Sequence, residues 1–298
     1  MQRIGFIGAS GMMGHGMAKN LRAKGYPLTL TVHRNRDRVA DLLAAGATLA
    51  PTLADLARNS DIVFLCVTGS PQVEAAVSGP DGLLSGAARG MMIVDTSTAE
   101  PESTNRLRAL CEAQGVQYVD APLARTPVDA EAGRLNVMVG ATDAQFAQLE
   151  PVLKAFAENV FHVGAPGAGH VIKLLNNFIA QASCTAVAEA FAVGQKAGID
   201  LKQLIKLMSA GLVNSGLIQI MAKTLDGDLG GMKFELNNAR KDIRYYTHLA
   251  EGLGVPTVVG EGVHQSLALA CALGYGEKFV PSLVEAQEKL TGARIVAR

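Results

Sequence analysis

The sequence predicts a doubly wound α/β domain followed by an all-helical domain, and three observations carry that expectation. Short β-branched runs alternate with segments of helical period through the first half of the chain. The first run leads straight into a glycine-rich turn and a helix. Beyond residue 164 strand alternation stops and apolar helical patterns take over. Strand–helix alternation favours parallel strands joined by right-handed crossovers, which gives a sheet with helices on both faces.

Strands are expected at "RIGFIG" (3–8), "LTLTV" (28–32), "IVFLCV" (62–67), "MMIVD" (91–95), "QYVD" (117–120) and "LNVMVG" (135–140). Between them, stretches such as "MGHGMAKNLRAKG" and "RVADLLAAG" space their apolar residues at helical period. The Gly/Pro-rich joint "GAPGAGH" (164–170) marks a boundary between domains at 1–164 and 165–298. A long helix over His170–Ala197 joins the two. Breaks at "AGID" (197–200), "DGDLGG" (226–231), "GLGVP" (252–256) and "GYGEK" (274–278) divide the remainder into five or six helices. Asp200 stands where it caps the helix "LKQLIKLM".

Composition narrows the function classes. With 49% hydrophobic and 18% charged residues the chain is globular, and 298 residues leave room for two cores. Lysine plus arginine equals aspartate plus glutamate at 27 each, so no net charge draws the chain to nucleic acid or an anionic membrane. Cys66, Cys111, Cys184 and Cys271 lie far apart, without C-x-x-C spacing, as expected of buried thiols in a reducing compartment. The six histidines are scattered, and no metal site is expected. A strand starting at Arg3 leaves no space for a signal peptide, and the apolar run carries Lys173, Glu189 and Lys196. A soluble, cytoplasmic protein without membrane or nucleic-acid partners is expected.

The glycine turn "GASGMMGHG" (8–16) carries the first chemical signal. Glycines between a strand and a helix let backbone approach a pyrophosphate, whose charge the helix N-terminus then stabilises. Gly8, Gly11 and Gly14 form G-x-x-G-x-x-G, one residue longer than the usual G-x-G-x-x-G. In first position within an α/β domain, this loop predicts a Rossmann-type dinucleotide site. An NAD site needs an acid at the end of the second strand. Here His33 occupies that place, followed by Arg34, Asn35 and Arg36. Two guanidiniums suit a 2′-phosphate, so NADP (NADPH) is expected over NAD. The second signal is "GHVIKLLNNFIAQ" (169–181), where Lys173, Asn176 and Asn177 interrupt an apolar helix. Lys173 and Asn177, four apart, share a face. Alone, they form either a solvated stripe or a chemical site.

Several stretches together resemble the β-hydroxyacid dehydrogenase family, which includes 3-hydroxyisobutyrate dehydrogenases and 2-hydroxy-3-oxopropionate reductases, over nearly the whole chain. "IGFIG…MMGHGMAKNL" is similar to the family's cofactor motif apart from the extra residue at Ala9–Ser10. "DTSTAEP" (95–101) is similar to its D-x-S-T-x-x-P stretch, and "GAGHVIKLLNN" (167–177) to its G-x-G-x-x-x-K-x-x-N-N motif. "FELNNARKD" (234–242) matches in Phe234, Lys241 and Asp242.

The resemblance implies roles for these residues. Lys173 would be the general acid/base, supported by Asn177, and Ser97 would lie near the substrate. Hydride transfer to an aldehyde builds negative charge on oxygen, which an ammonium stabilises and then protonates. Burial between apolar turns would lower that lysine's pKa. Cofactor contacts would come from Gly8, Ser10, Gly11, Met12, Met13 and Gly14, and from His33 to Arg36. Val67, Thr68, Thr98, Phe234, Lys241 and Asp242 would complete them.

One motif departs. The family's D-A-P-V-S-G-G reads "DAPLARTP" (120–127) here, so Arg125 and Thr126 are expected to hold the substrate's anionic end. A similar pattern occurs in sulfolactaldehyde reductases of the family. The expected substrate is a small anionic semialdehyde or its hydroxyacid, with a sulfonated aldehyde as the alternative. A non-catalytic dinucleotide sensor is the rival from another class, against which the retained Lys173, Asn177 and Asp242 speak. Imine reductases share the architecture but commonly carry another residue at the lysine position. Helices such as "VGEGVHQSLALACALG" (259–274), rich in apolar and small residues, suggest a homodimer or homotetramer.

Overall fold

The computed structural model describes residues 1–32 and 36–297. It divides into two compact units, Met1–Lys173 and Leu174–Arg298.

The first unit is built on a sheet of β1 (Ile4–Ile7), β2 (Leu28–Thr31), β3 (Thr48–Leu49), β4 (Ile62–Leu65), β5 (Met92–Asp95), β6 (Gln117–Asp120), β7 (Leu123–Ala124), β8 (Leu135–Gly140) and β9 (Ala157–Gly164). The order is β3-β2-β1-β4-β5-β6-β8, with β7 and β9 also paired to β8. Its helices are α1 (Gly14–Ala23), α2 (Ala40–Ala44), α3 (Leu53–Arg58), α4 (Ser70–Ser78), α5 (Pro101–Ala113), α6 (Pro127–Glu131) and α7 (Asp143–Leu153). The central strands are apolar on both faces. Ile62 and Phe64 of β4 enter one core, while Val63 and Leu65 enter the other. Helices therefore cover both sides, as a parallel sheet requires.

The six expected strands all form. Three others escape sequence reading: β3 and β7 have two residues each, and β9 carries Glu158, Asn159 and His162 on a mostly exposed edge. The sheet is also not parallel throughout, because β8 runs antiparallel to β6 and β7. Only residues 125–134 separate β7 from β8. That is shorter than the dozen or so residues a parallel crossover needs.

The second unit is helical. The long helix α8 (Ala168–Lys196) begins in the first unit and continues here. α9 (Leu201–Ala210), α10 (Gly216–Ala222), α11 (Leu236–Gly252), α12 (Val258–Ala270) and α13 (Leu283–Thr291) follow it. Asp200 caps α9 by accepting from the Lys202 N–H at 2.9 Å. Cys184, Val187, Phe191, Leu236, Ile243 and Leu267 belong to one core. Phe178 stacks on Tyr246 at 4.2 Å between centroids. By length and composition α8 is apolar enough to cross a membrane, but Cys184, Val187, Ala188, Phe191 and Ala192 spend its apolar face on that core.

Candidate active site

Parallel register lines up the strand ends that carry chemistry. Ile7 pairs with Thr31 and Leu65, Leu65 with Asp95, and Asp95 with Asp120. The residues that follow each strand therefore emerge along one edge of the sheet, where open α/β sheets bind their ligands.

At β1 the chain turns into α1 through the glycine loop. Gly8 has φ +94°, and a Cβ there would lie 2.1 Å from the Cys66 carbonyl oxygen. A Cβ on Gly14 would lie 2.2 Å from the Gly8 carbonyl oxygen, so both positions exclude any side chain. The Gly11 N–H closes on the Gly8 carbonyl at 3.0 Å, and Ala9 is fully buried. The loop thus turns tightly despite its extra residue. Ser10, Gly11 and Met13 are half-buried and Met12 is exposed beside the N-terminus of α1. This cradle of bare backbone at a helix start fits a dinucleotide's pyrophosphate. The His15 N–H donates to the Gly11 carbonyl at 3.0 Å, but its side chain is engaged outside the loop. Its Nδ1 meets Glu131 of α6 at 2.5 Å and its Nε2 meets Asp41 of α2 at 3.1 Å. Partial burial lowers its pKa, but the hydrogen bonds to Glu131 and Asp41 outweigh that and hold it above the ordinary value.

Of the residues expected to read the 2′-position, His33, Arg34 and Asn35 lie outside the described residues. Arg36 is exposed, just before the turn at Asp37–Val39.

The tails of β4 and β5 are stitched together by the D-T-S-T stretch. Asp95 Oδ1 accepts from the Ser97 N–H at 2.9 Å, and Thr96 Oγ1 donates to the Leu65 carbonyl at 2.6 Å. The Val67 N–H donates to Ser97 Oγ at 3.0 Å, a bond that does not use the serine's own hydrogen. Thr98 is half-buried and Thr68 exposed along the same edge. Asp95 Oδ2 accepts from Tyr118 at 3.0 Å. Burial and then the Asp95 charge push the Tyr118 phenol well up, so it remains a donor.

The start of α8 is seated on the tail of β6. Asp120 is buried, and its carboxylate accepts the N–H of Gly167 at 2.6 Å and of His170 at 3.0 Å. Two orphan donors of the helix N-terminus are thereby satisfied by a charge of the right sign. Gly167 has φ +99°, and a Cβ on Gly169 would sit 2.5 Å from the Met138 carbonyl oxygen. Those demands explain the first two glycines of G-x-G-x-x-x-K. One turn on, half-buried Lys173 donates from Nζ to the Leu123 carbonyl of β7 at 2.6 Å. Sequence reading missed Asp120, although it opens the D-A-P motif, and it also missed His170 within the motif of Lys173.

Arg125 and Thr126 of the variant motif both make local contacts. Arg125 Nη1 donates to the Arg134 carbonyl at 2.6 Å and to the Glu158 carboxylate. It is the one non-glycine among the described residues with positive φ, +81°. That left-handed conformation favours glycine, and it carries the side chain to Glu158 of β9. Thr126 is a helix cap. Its hydroxyl donates to Asp129 Oδ2 at 2.7 Å and accepts from the Asp129 N–H at 3.3 Å, a capping box at the start of α6. The signal was present in "TPVD", a T-x-x-D box with proline in the first turn.

In the second unit Asn177 is buried and donates to Asp242 Oδ2 at 2.7 Å. Exposed Asn176 donates to Asn177 Oδ1 at 3.2 Å. Lys241 Nζ lies 3.0 Å from Asp242 Oδ1 and 5.2 Å from the Tyr245 ring centroid. Phe234 packs on the helical core. Asn176, Asn177, Asp242 and Lys241 thus form one polar chain linking α8 to α11.

Residues 3–164 match the family model described as the NAD binding domain of 6-phosphogluconate dehydrogenase. Residues 167–286 match the one described as NAD-binding of NADP-dependent 3-hydroxyisobutyrate dehydrogenase. The 2-(hydroxymethyl)glutarate dehydrogenase of Eubacterium barkeri is 30% identical, over 98% of this chain and 97% of its own. The 2-hydroxy-3-oxopropionate reductase of Escherichia coli (strain K12) is 30% identical, over 98% of this chain and 99% of its own. Among solved structures, a 3-hydroxyisobutyrate dehydrogenase from Salmonella typhimurium is similar with a TM-score of 0.82 at 26% identity, covering 96% and 99% of the two chains.

Proposed function

Starting from the β-hydroxyacid dehydrogenase family, to which this chain belongs, we propose that it is an NADP-linked reductase, and reverse dehydrogenase, of a small anionic semialdehyde. That it is an NAD(P)-dependent oxidoreductase acting on CH–OH groups follows from the family itself. The preference for NADP rests on Arg34 and Arg36 in place of a strand-end acid. The substrate class rests on the named relatives and on Ser97 at the sheet edge.

The carrying observation is Lys173, seated by Asp120 at the start of α8 and held by Nζ to the Leu123 carbonyl. When bound, the nicotinamide supplies or takes up the hydride. Gly8 to Gly14 would hold its pyrophosphate, with Val67, Thr68 and Thr98 along the same edge. Val67, through its N–H, fixes the Ser97 hydroxyl oxygen and leaves the serine's own hydrogen to donate to the substrate's carboxylate. Lys173 holds a proton at Nζ, stabilises the developing alkoxide and protonates it; in the reverse direction it takes that proton back. Asn177, fixed by Asp242, supports Lys173 from the next turn of α8. Phe234, Lys241 and Asp242 are assigned to the cofactor on the motif match alone. Because Arg125 is engaged by Glu158, a carboxylated semialdehyde is favoured over a sulfonated one.

The same reading makes the protein a cytoplasmic homodimer or homotetramer. It is supported by four free cysteines and by exposed Leu207, Leu253, Val258 and Val259 in the helical unit. The test of function is a panel of three- and four-carbon aldehydes bearing carboxylate, phosphate, sulfonate or no charge, followed by NADPH oxidation. Turnover concentrated on the carboxylates supports the reading. Equal turnover of uncharged aldehydes, or none at all, refutes it.

A further inference from the structure

His170 is fully buried, yet its Nε2 has no hydrogen-bond partner among the described residues. Thr104 Oγ1 lies 2.7 Å from His170 Nδ1 and 3.1 Å from the Glu100 carbonyl, which also accepts the Thr104 N–H at 3.0 Å. The hydroxyl has a single hydrogen, and given to Nδ1 it leaves the ring's own hydrogen for Nε2. Nε2 then faces Asp95 Oδ2 at 3.7 Å, with both side chains fully buried. That oxygen already accepts from Tyr118. A bare Nε2 would set its lone pair against a carboxylate in a dry site, which is costly. A hydrogen on Nε2 turns the same approach into attraction.

We infer that His170 is a positioning residue for Lys173: with hydrogen on Nε2, it fastens the first turns of α8 to the end of β5, beside Ser97. Gly167, just before α8, and His170 and Lys173 on it are spaced three apart and so follow one side of the helix. Each meets a different strand tail or shares one. The Gly167 and His170 amides sit on Asp120 of β6, the His170 ring faces Asp95 of β5, and Lys173 Nζ reaches Leu123 of β7. Asp95 also holds the Ser97 N–H. One carboxylate thus ties the helix bearing the lysine to the loop bearing the serine. A buried pair of this kind contributes little net stability and is better suited to fixing one register among several. The inference rests on the role proposed for Lys173.

Two variants separate the ring's two ends. Asparagine places its amide where Nδ1 stands and retains the Thr104 contact; glutamine reaches to Nε2 and retains the Asp95 contact. His170→Asn should lower kcat about tenfold or more with the KM for NADPH unchanged, and His170→Gln should recover most of that loss. Equal activity of the two variants, or kcat unchanged in both, overturns the inference. A spectroscopic arm uses the unmodified protein: nitrogen-15 NMR of labelled histidine should show hydrogen on His170 Nε2. A ring with bare Nε2 overturns the inference as well. If the unmodified protein turned over no aldehyde, the functional reading would fail. The ring's hydrogens, and amide exchange at residues 167–173 in the two variants, would still decide whether His170 fastens the helix.

Discussion

Asp120→Asn changes one atom and one charge at the start of α8, and its cost can be worked from the geometry. The carboxylate accepts two backbone N–H groups, from Gly167 at 2.6 Å and His170 at 3.0 Å, and is itself buried. An asparagine carbonyl keeps one of these bonds. Its amide then turns a donor toward the other N–H, and Gly140 and Gly169 leave no room for relaxation, since a Cβ on Gly140 would already lie 2.6 Å from the carboxylate. Losing one hydrogen bond to a charged group costs about 1.5–3 kcal/mol. Losing the charge at a helix N-terminus costs about 0.3–1 kcal/mol more. The expected loss is therefore about 2–4 kcal/mol, or roughly 5–15 °C in the unfolding temperature of a unit of this size. Urea and thermal unfolding followed by circular dichroism measure the loss, and hydrogen exchange locates it. The amides of Gly167 and His170 should lose protection while those of β1 and β4 keep theirs. Stability within about 0.5 kcal/mol of the unmodified protein, or unchanged protection at those two amides, would refute the reasoning.

Arg125→Gly and Arg125→Ala both remove the Glu158 pair, but only glycine relieves the left-handed backbone. Allowing for the looser unfolded chain, Arg125→Gly should be the more stable of the two by about 0.5–1 kcal/mol in thermal unfolding. The His15 cluster gives stability a pH dependence. The His15 hydrogen bond lowers the Asp41 pKa. Glu131 is raised by burial but lowered further by its bonds to His15 and Lys19. The carboxylate contribution is present above the ordinary carboxylate range and is lost as pH falls through the lowered values. The histidine contribution is complete below the ordinary 6.5 and is lost as pH rises through its raised value. His15→Gln should therefore flatten the decline of stability on the alkaline side. The flattening should be under about 1 kcal/mol, because Asp41 and Glu131 are solvent-screened; an undiminished decline in the variant counts against the cluster. Removing Arg34 and Arg36 together should raise the KM for NADPH more than that for NADH, and an unmodified protein equally efficient with NADH would defeat the strand-end argument.

The parts of the fold legible in the sequence were those with a period. The central strands are apolar on both faces and five or six residues long with their flanks, and the helices after residue 164 are broken by glycine and proline. β9 was illegible because an edge strand carrying Glu158 and His162 lacks the apolar signature, and β8's reversal because direction depends on loop length rather than pattern. The glycine loop was readable, since glycine is demanded by backbone approach at Gly8 and Gly14. The local contacts of Arg125 and Thr126 were hidden for a different reason. A side chain's chemistry suggests what it can bind, but its direction is set by φ at Arg125 and by a local cap at Thr126. Asp120 and His170 went unread because their partners are distant in sequence: the Asp120–His170 bond spans 50 residues and the His170–Thr104 bond 66.

The central claim is that Lys173 handles the proton of a carbonyl–alcohol interconversion, and single-turnover NADPH oxidation with the best substrate of the panel tests it most directly. Lys173→Ala should slow the observed rate by roughly a hundredfold or more, the scale of a positioned acid/base group, while NADPH affinity and the folded state persist. A near-normal rate in that variant, with cofactor still bound, would contradict the account and return Lys173 to the role of a structural anchor for Leu123.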